Sequence, residues 1–151
     1  MTIAIAAAAT GFLLAVLWFD LMFDVQVLRH RGSSQVPEPV LASISAYYRR
    51  VTTTASPMGR LVGLVMVALL TDLVVQAVAG DAPLWVSAVL LPAALLAIGL
   101  AAARVFVRAR RLGERADSPA VQSGLARSIF RDHIVCLAAM ATLLAAQLSA
   151  V

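Results

Sequence analysis

The chain has 151 residues, 62% of them hydrophobic and only 13% charged, with a mean hydropathy of +0.92. A soluble domain is about half apolar and about a quarter charged. The composition therefore excludes a soluble globular enzyme and a disordered chain, and the single cysteine, Cys136, excludes a disulfide scaffold. The net charge of +4 rests on arginines alone, with no lysine; without a wide water-exposed face it does not make a nucleic-acid groove, and an integral membrane protein remains.

Four apolar stretches reach the roughly 20 helical residues needed to cross a hydrocarbon core. The first spans about 3–28 and opens as MTIAIAAAATGFLLAVLWFD. No basic residue precedes its apolar run, so it is expected to stay as a membrane helix and not to be removed as a signal peptide. Pro37-Glu38-Pro39 then breaks the chain, after which Val40, Leu41, Ile44, Tyr47, Tyr48 and Val51 recur at helical spacing. Ser43, Ser45, Arg49 and Arg50 fall largely on the other side. This predicts a short amphipathic helix over about 40–54, lying in the headgroup region with the tyrosines as anchors. The alternative for the same pattern is a helix packed on the end of the bundle.

Ser56-Pro57, an N-cap followed by a proline at the first helical position, starts the second span, about 57–79, which Gly80 ends. Asp81-Ala82-Pro83 starts the third, about 83–107, whose helical pattern runs on to Gly113 as a C-terminal cap. Ser118-Pro119 opens a fourth helix too long for the bilayer, with about 129–150 as its membrane part. Arg29, Arg31, Arg49, Arg50 and Arg60 surround the first connection, and Arg104, Arg108, Arg110, Arg111, Arg115, Arg127 and Arg131 the third. The second connection and both termini carry none, which predicts that the arginine-bearing loops are cytoplasmic and both termini outside a bacterial inner membrane. The expected fold is an all-α integral membrane protein, one domain over residues 1–151. It is an antiparallel four-helix transmembrane bundle with the amphipathic interfacial helix between the first two spans. In layout it resembles small bacterial four-span proteins, anthrone-oxygenase-like ones among them, but no motif transfers a role to any residue.

Polar side chains at membrane depth are where function is sought first, because they are costly without partners. Asp72 lies twelve residues beyond Arg60, or roughly 18 Å along the helix, near the middle of a core about 30 Å thick. Gln76 follows one turn later, and Thr10, Pro92 and Thr142 have similar depth on the other spans. One reading makes Asp72, with Thr10, Thr142 and Gln76, a relay for a proton or cation. The other makes it a side chain that joins helices, where such bonds are worth about 0.6–2 kcal/mol.

A second constellation lies near the arginine-rich boundary. Asp20 and Asp24 share a helix face, and Asp132 and His133 open the membrane part of the fourth span with Cys136 one turn on. Asp20, Asp24, Asp132 and His133 are a donor set that suits a divalent metal. Against it, the adjacent Asp132 and His133 point about 100° apart, and the Glu-x-x-His pairs of carboxylate-bridged bundles are missing. An interfacial salt-bridge layer of these acids with Arg104, Arg108 and Arg131 accounts for the same residues. His30 and His133 are both expected at the same interface, with His30 solvated between Arg29 and Arg31, which does not suit a haem ligand pair, and neither a G-x-S-x-G elbow nor a glycine-rich phosphate loop occurs. Phe12, Trp18, Phe19 and Phe23 are expected to face lipid or the interface.

The leading expectation is a non-catalytic membrane subunit or homo-oligomer whose buried polar layers specify packing. Its partners are the bilayer and a larger membrane complex or a second copy, with no nucleic acid and no cofactor. The rivals are a proton- or cation-linked transporter working through Asp72 and a metal-dependent oxidoreductase or oxygenase acting on a lipophilic substrate.

Overall fold

Long apolar runs form most of the helices of the computed structural model, which describes residues 3–54, 56–80 and 84–149. Helix α1 (Ile3–Asp24) continues through a tight 3-10 stretch, Val25–His30. Helix α2 (Glu38–Arg49) has Pro39 in its first turn and loosens into a π turn, Arg50–Thr54. Helix α3 covers Ser56–Ala79, and Gly80 (φ 72°) follows it in the left-handed conformation that only glycine adopts freely. Helix α4 (Leu84–Leu100), a π turn (Ala101–Val105) and α5 (Phe106–Glu114) make one nearly continuous rod. Helix α6 (Pro119–Ser149) is the longest. The start signal expected at Asp81-Ala82-Pro83 and the side chain of Ser56 lie outside the described residues.

Four helices are long and apolar enough to cross a membrane. Helix α6 packs on α1 and α4, and α3 packs on the same two from the other side. The result is a square in which α3 and α6 stand at opposite corners. Leu13, Leu69, Leu73, Leu90, Met140 and Leu143 fill its centre, with Ala94 and Ala97 of α4 letting α6 come close. The outer surface is apolar too: Trp18, Phe19, Leu64, Val67, Leu95 and Leu148 are all exposed. A patch of that extent requires cover by lipid or protein.

At the end that carries the arginines, α2, α5 and the first turns of α6 form a second core. Leu41, Ile44 and Tyr48 of α2 meet Ala109 and Leu112 of α5 and Ile129 of α6. This corrects the expectation of a helix resting its apolar face on the headgroups. The face is buried in protein, because α5 and the start of α6 stand beside α2 and offer it an apolar surface. Burying a leucine or isoleucine side chain contributes about 1.5–3 kcal/mol, so α2 gains more by docking than by lying free. Glycine position matters here as well. Gly113 was expected to cap the helix, but Arg115 (φ 53°) takes the left-handed place. Gly113 instead lets two backbones touch, since a Cβ there would lie 2.7 Å from Arg49 N and 2.9 Å from Arg49 Cα. Gly113→Val is therefore expected to destabilise the protein by about 1–3 kcal/mol, whereas Gly99→Val, with nothing within 4 Å, changes little. Thermal unfolding of both variants in micelles, followed by circular dichroism, checks this; equal midpoints would refute the close approach.

The loop between α1 and α2 is held from α6. Arg127 Nη2 donates to the carbonyls of Ser33 (2.7 Å) and His30 (3.1 Å). The Val36 N–H donates to Ser123 Oγ (2.9 Å).

Candidate functional site

Three helices bring one polar cluster together at the arginine-bearing end. Helix α1 presents Asp20 and Asp24, one turn apart; α6 presents His133 between them; α2 brings Tyr47 and Tyr48 from below. Tyr48 Oη donates to Asp24 Oδ1 at 2.6 Å, and His133 Nδ1 lies 2.6 Å from Asp24 Oδ2. Tyr47 Oη donates to Asp20 Oδ1 at 2.6 Å, and His133 Nε2 stands 3.8 Å from Asp20 Oδ2. Asp24, at 0% exposure, is the most deeply placed member. Phe23 stacks on Tyr47, ring centres 4.0 Å apart. It therefore packs within the protein, whereas Trp18 and Phe19 are exposed on the outer surface.

Both phenols are held well above their ordinary ionisation range. Burial is the main cause; the negative charge of Asp20 and Asp24 and the phenol–carboxylate hydrogen bonds add to it. The tyrosines are thus fixed as donors. Sequence reasoning treated them as membrane anchors and missed this role. The signal was present, however: Tyr48 continues the Leu41–Ile44 face by one turn, and a buried phenol requires an acceptor.

Asp132 turns the other way, as the 100° step between neighbours on a helix requires. It takes Arg108 Nη1 at 2.7 Å and Arg104 Nη2 at 3.3 Å, and Arg108 also donates to Ser128 Oγ at 2.5 Å. Of the expected salt-bridge arginines, Arg104 and Arg108 pair with Asp132. Arg131 is in no ion pair among the described residues. Asp20, Asp24 and His133 share a site while Asp132 belongs to the adjacent arginine layer, so the four expected metal donors are not brought to one point. Among the described residues no group of three or more His, Cys, Asp or Glu is placed to hold a metal ion. One oxygen each of Asp20 and Asp24 already accepts from a tyrosine, and both oxygens of Asp132 face arginines.

The mid-span residues are less united. Asp72 and Gln76 are buried, and Gln76 Nε2 donates to Asp72 Oδ2 at 2.7 Å. Asp72 Oδ1 is buried without a partner among the described residues. Thr10 is buried but donates to its own helix, to Ala6 O at 2.8 Å. Thr142 is exposed and likewise donates within its helix, to Ala138 O. The expected four-residue relay is thus reduced to an Asp72–Gln76 pair. Cys136 is buried and donates to Ala97 O.

No protein-family model, curated protein or solved structure matches the chain.

Proposed function

We propose that this chain is a small polytopic protein of the bacterial cytoplasmic membrane, non-catalytic, whose buried polar layers specify how its helices pack, working as a homo-oligomer or as a subunit of a larger membrane assembly. The observation that carries the reading is the closure of the Asp20–Asp24–Tyr47–Tyr48–His133 cluster. Its carboxylates and imidazole are turned to one another and to two phenols, with Asp24, Tyr48 and His133 each 3% exposed or less. Such a network favours holding α1, α2 and α6 in one register, since buried polar groups that find partners favour a unique packing. The exposed apolar flanks suit a lipid setting, and the arginines at one end favour placing that end in the cytoplasm with both termini outside.

One observation favours a second reading, a proton- or cation-linked transporter. It is Asp72, in the middle of an apolar helix with one oxygen unpartnered among the described residues. Reconstitution into vesicles under a potassium diffusion potential, with a pH-sensitive dye inside, separates the two readings. The packing reading expects wild-type vesicles to acidify no faster than protein-free ones. Acidification by the wild type that disappears in a normally folded Asp72→Asn variant would replace it with the transporter.

A further inference from the structure

Beside the polar cluster, a half-open groove of about 430 Å³ runs between the end of α1 and the outer side of α6. Arg31, Arg127 and Arg131 line it, over a floor made by Val27, Leu28 and Phe130. No carboxylate among the described residues neutralises these three arginines. Asp132 holds Arg104 and Arg108, Asp117 holds Arg111, Glu114 holds Arg110 and Glu38 holds Arg115. The remaining described acids bond Tyr47, Tyr48, His133 and Gln76. Arg127 donates through Nη2 to the carbonyls of the α1–α2 loop, which leaves its charge uncompensated, and its buried Nε has no partner among the described residues. The groove is therefore a concentrated positive charge on an apolar bed.

Its surroundings say which anion fits. One turn beyond Phe130 and Arg131 on the same face of α6, Ile134 is exposed, and Val25 is exposed on the α1 side. The groove thus has a basic mouth and an apolar side that continues onto the hydrophobic flank of the bundle. A free phosphate would use only the first, whereas a phospholipid uses both, with its phosphate on the arginines and an acyl chain along Phe130 and Ile134. Basic pockets at the cytoplasmic ends of membrane helices select anionic headgroups on this principle.

We infer that the groove lined by Arg31, Arg127 and Arg131 binds one anionic phospholipid of the cytoplasmic leaflet. This rests on the membrane reading above, and the test keeps the two apart. The purified protein in neutral detergent is mixed with equal amounts of phosphatidylglycerol and phosphatidylcholine, and retained lipid is read by native mass spectrometry. The expected result is one phosphatidylglycerol per chain, preferred on the order of tenfold. In Arg31→Gln/Arg131→Gln the preference falls close to parity. Arg127 is left intact because it holds the loop. Gly124→Leu supplies a variant with every charge kept: Gly124 lines the groove and a Cβ there meets nothing within 4 Å, so the leucine fills space and lowers retention without a clash.

Equal retention of the two lipids in the wild type overturns the inference. So does a preference that falls as far in Arg110→Gln/Arg111→Gln, two arginines already paired, because it would then be general charge. Displacement of the lipid by millimolar inorganic phosphate would assign the groove to a free anion instead. An alkaline carbonate wash of phosphatidylcholine vesicles tests the membrane reading separately: a chain that stays in the bilayer but shows no lipid preference sinks only the groove.

Discussion

Asp24→Ala is expected to destabilise the protein by about 3–5 kcal/mol, the range for removing one partner from a buried, hydrogen-bonded polar pair. The alanine leaves Tyr48 Oη and His133 Nδ1 facing each other across a gap. Both belong to side chains 3% exposed or less, and each orphaned buried group costs about 1–3 kcal/mol. Tyr47→Phe is the natural contrast. Its bond to Asp20 is only part-buried, water reaches the freed carboxylate, and about 0.5–1.5 kcal/mol is lost. Asp24→Asn divides the larger effect. Asparagine keeps an oxygen for Tyr48 and presents an NH2 group to His133 Nδ1, so its deficit against the wild type reads the charge component. The further deficit of alanine against asparagine reads the two hydrogen bonds. Denaturation in mixed micelles gives all three values. If Asp24→Ala unfolds no earlier than Tyr47→Phe, the cluster does not hold α1, α2 and α6 together, and the packing function loses its main support.

How much of this was legible in the sequence differs from residue to residue. The helices follow from length and hydropathy, and their ends from Pro39, Ser56-Pro57, Gly80 and Ser118-Pro119, because those signals act locally. The pairing of Asp132 with Arg104 and Arg108 followed from depth alone, since charges of opposite sign at one level on neighbouring spans find each other. The opposed directions of Asp132 and His133 were a matter of helix geometry.

What escaped was tertiary. An amphipathic pattern in α2 states that one face is apolar, not whether lipid or protein covers it; the apolar sides of α5 and the start of α6 decided that. Gly113 reads as a cap from sequence, and its contact with the backbone of Arg49 emerges only when α2 docks. The roles of Tyr47 and Tyr48 depend on the same docking. Arg131 illustrates the reverse. Depth placed it with the salt-bridge arginines, yet its step on the helix turns it from Asp132 to the groove with Arg31.

Tyr47 and Tyr48 are the two tyrosines of the chain, so the phenolate absorption band reports on the cluster and on nothing else. Both phenols are pushed above the ordinary value of 10.0, by burial first and then by the adjacent carboxylates. The sign of the linkage follows from proton counting. Above pH 10 the unfolded chain releases two phenolic protons while the folded chain keeps them, so the unfolded state gains. The stability these groups contribute is complete below pH 10 and falls as pH rises beyond it, by about 1.4 kcal/mol per pH unit for each tyrosine. The pair together gives a slope of about 2.8 kcal/mol per pH unit, steep against a total of about 5–15 kcal/mol typical of folded proteins. The folded protein in micelles is thus expected to show no phenolate band where a free tyrosine is already ionised. The band then emerges in one step, at the pH where helicity and tertiary structure are lost. Tyr47→Phe should halve the band and leave the step in place, since Tyr48 is the more deeply buried. Gradual ionisation centred near pH 10 with helix content intact would show that water reaches the phenols. The Asp24–Tyr48 contact could not then be the closed junction on which the packing of α2 depends.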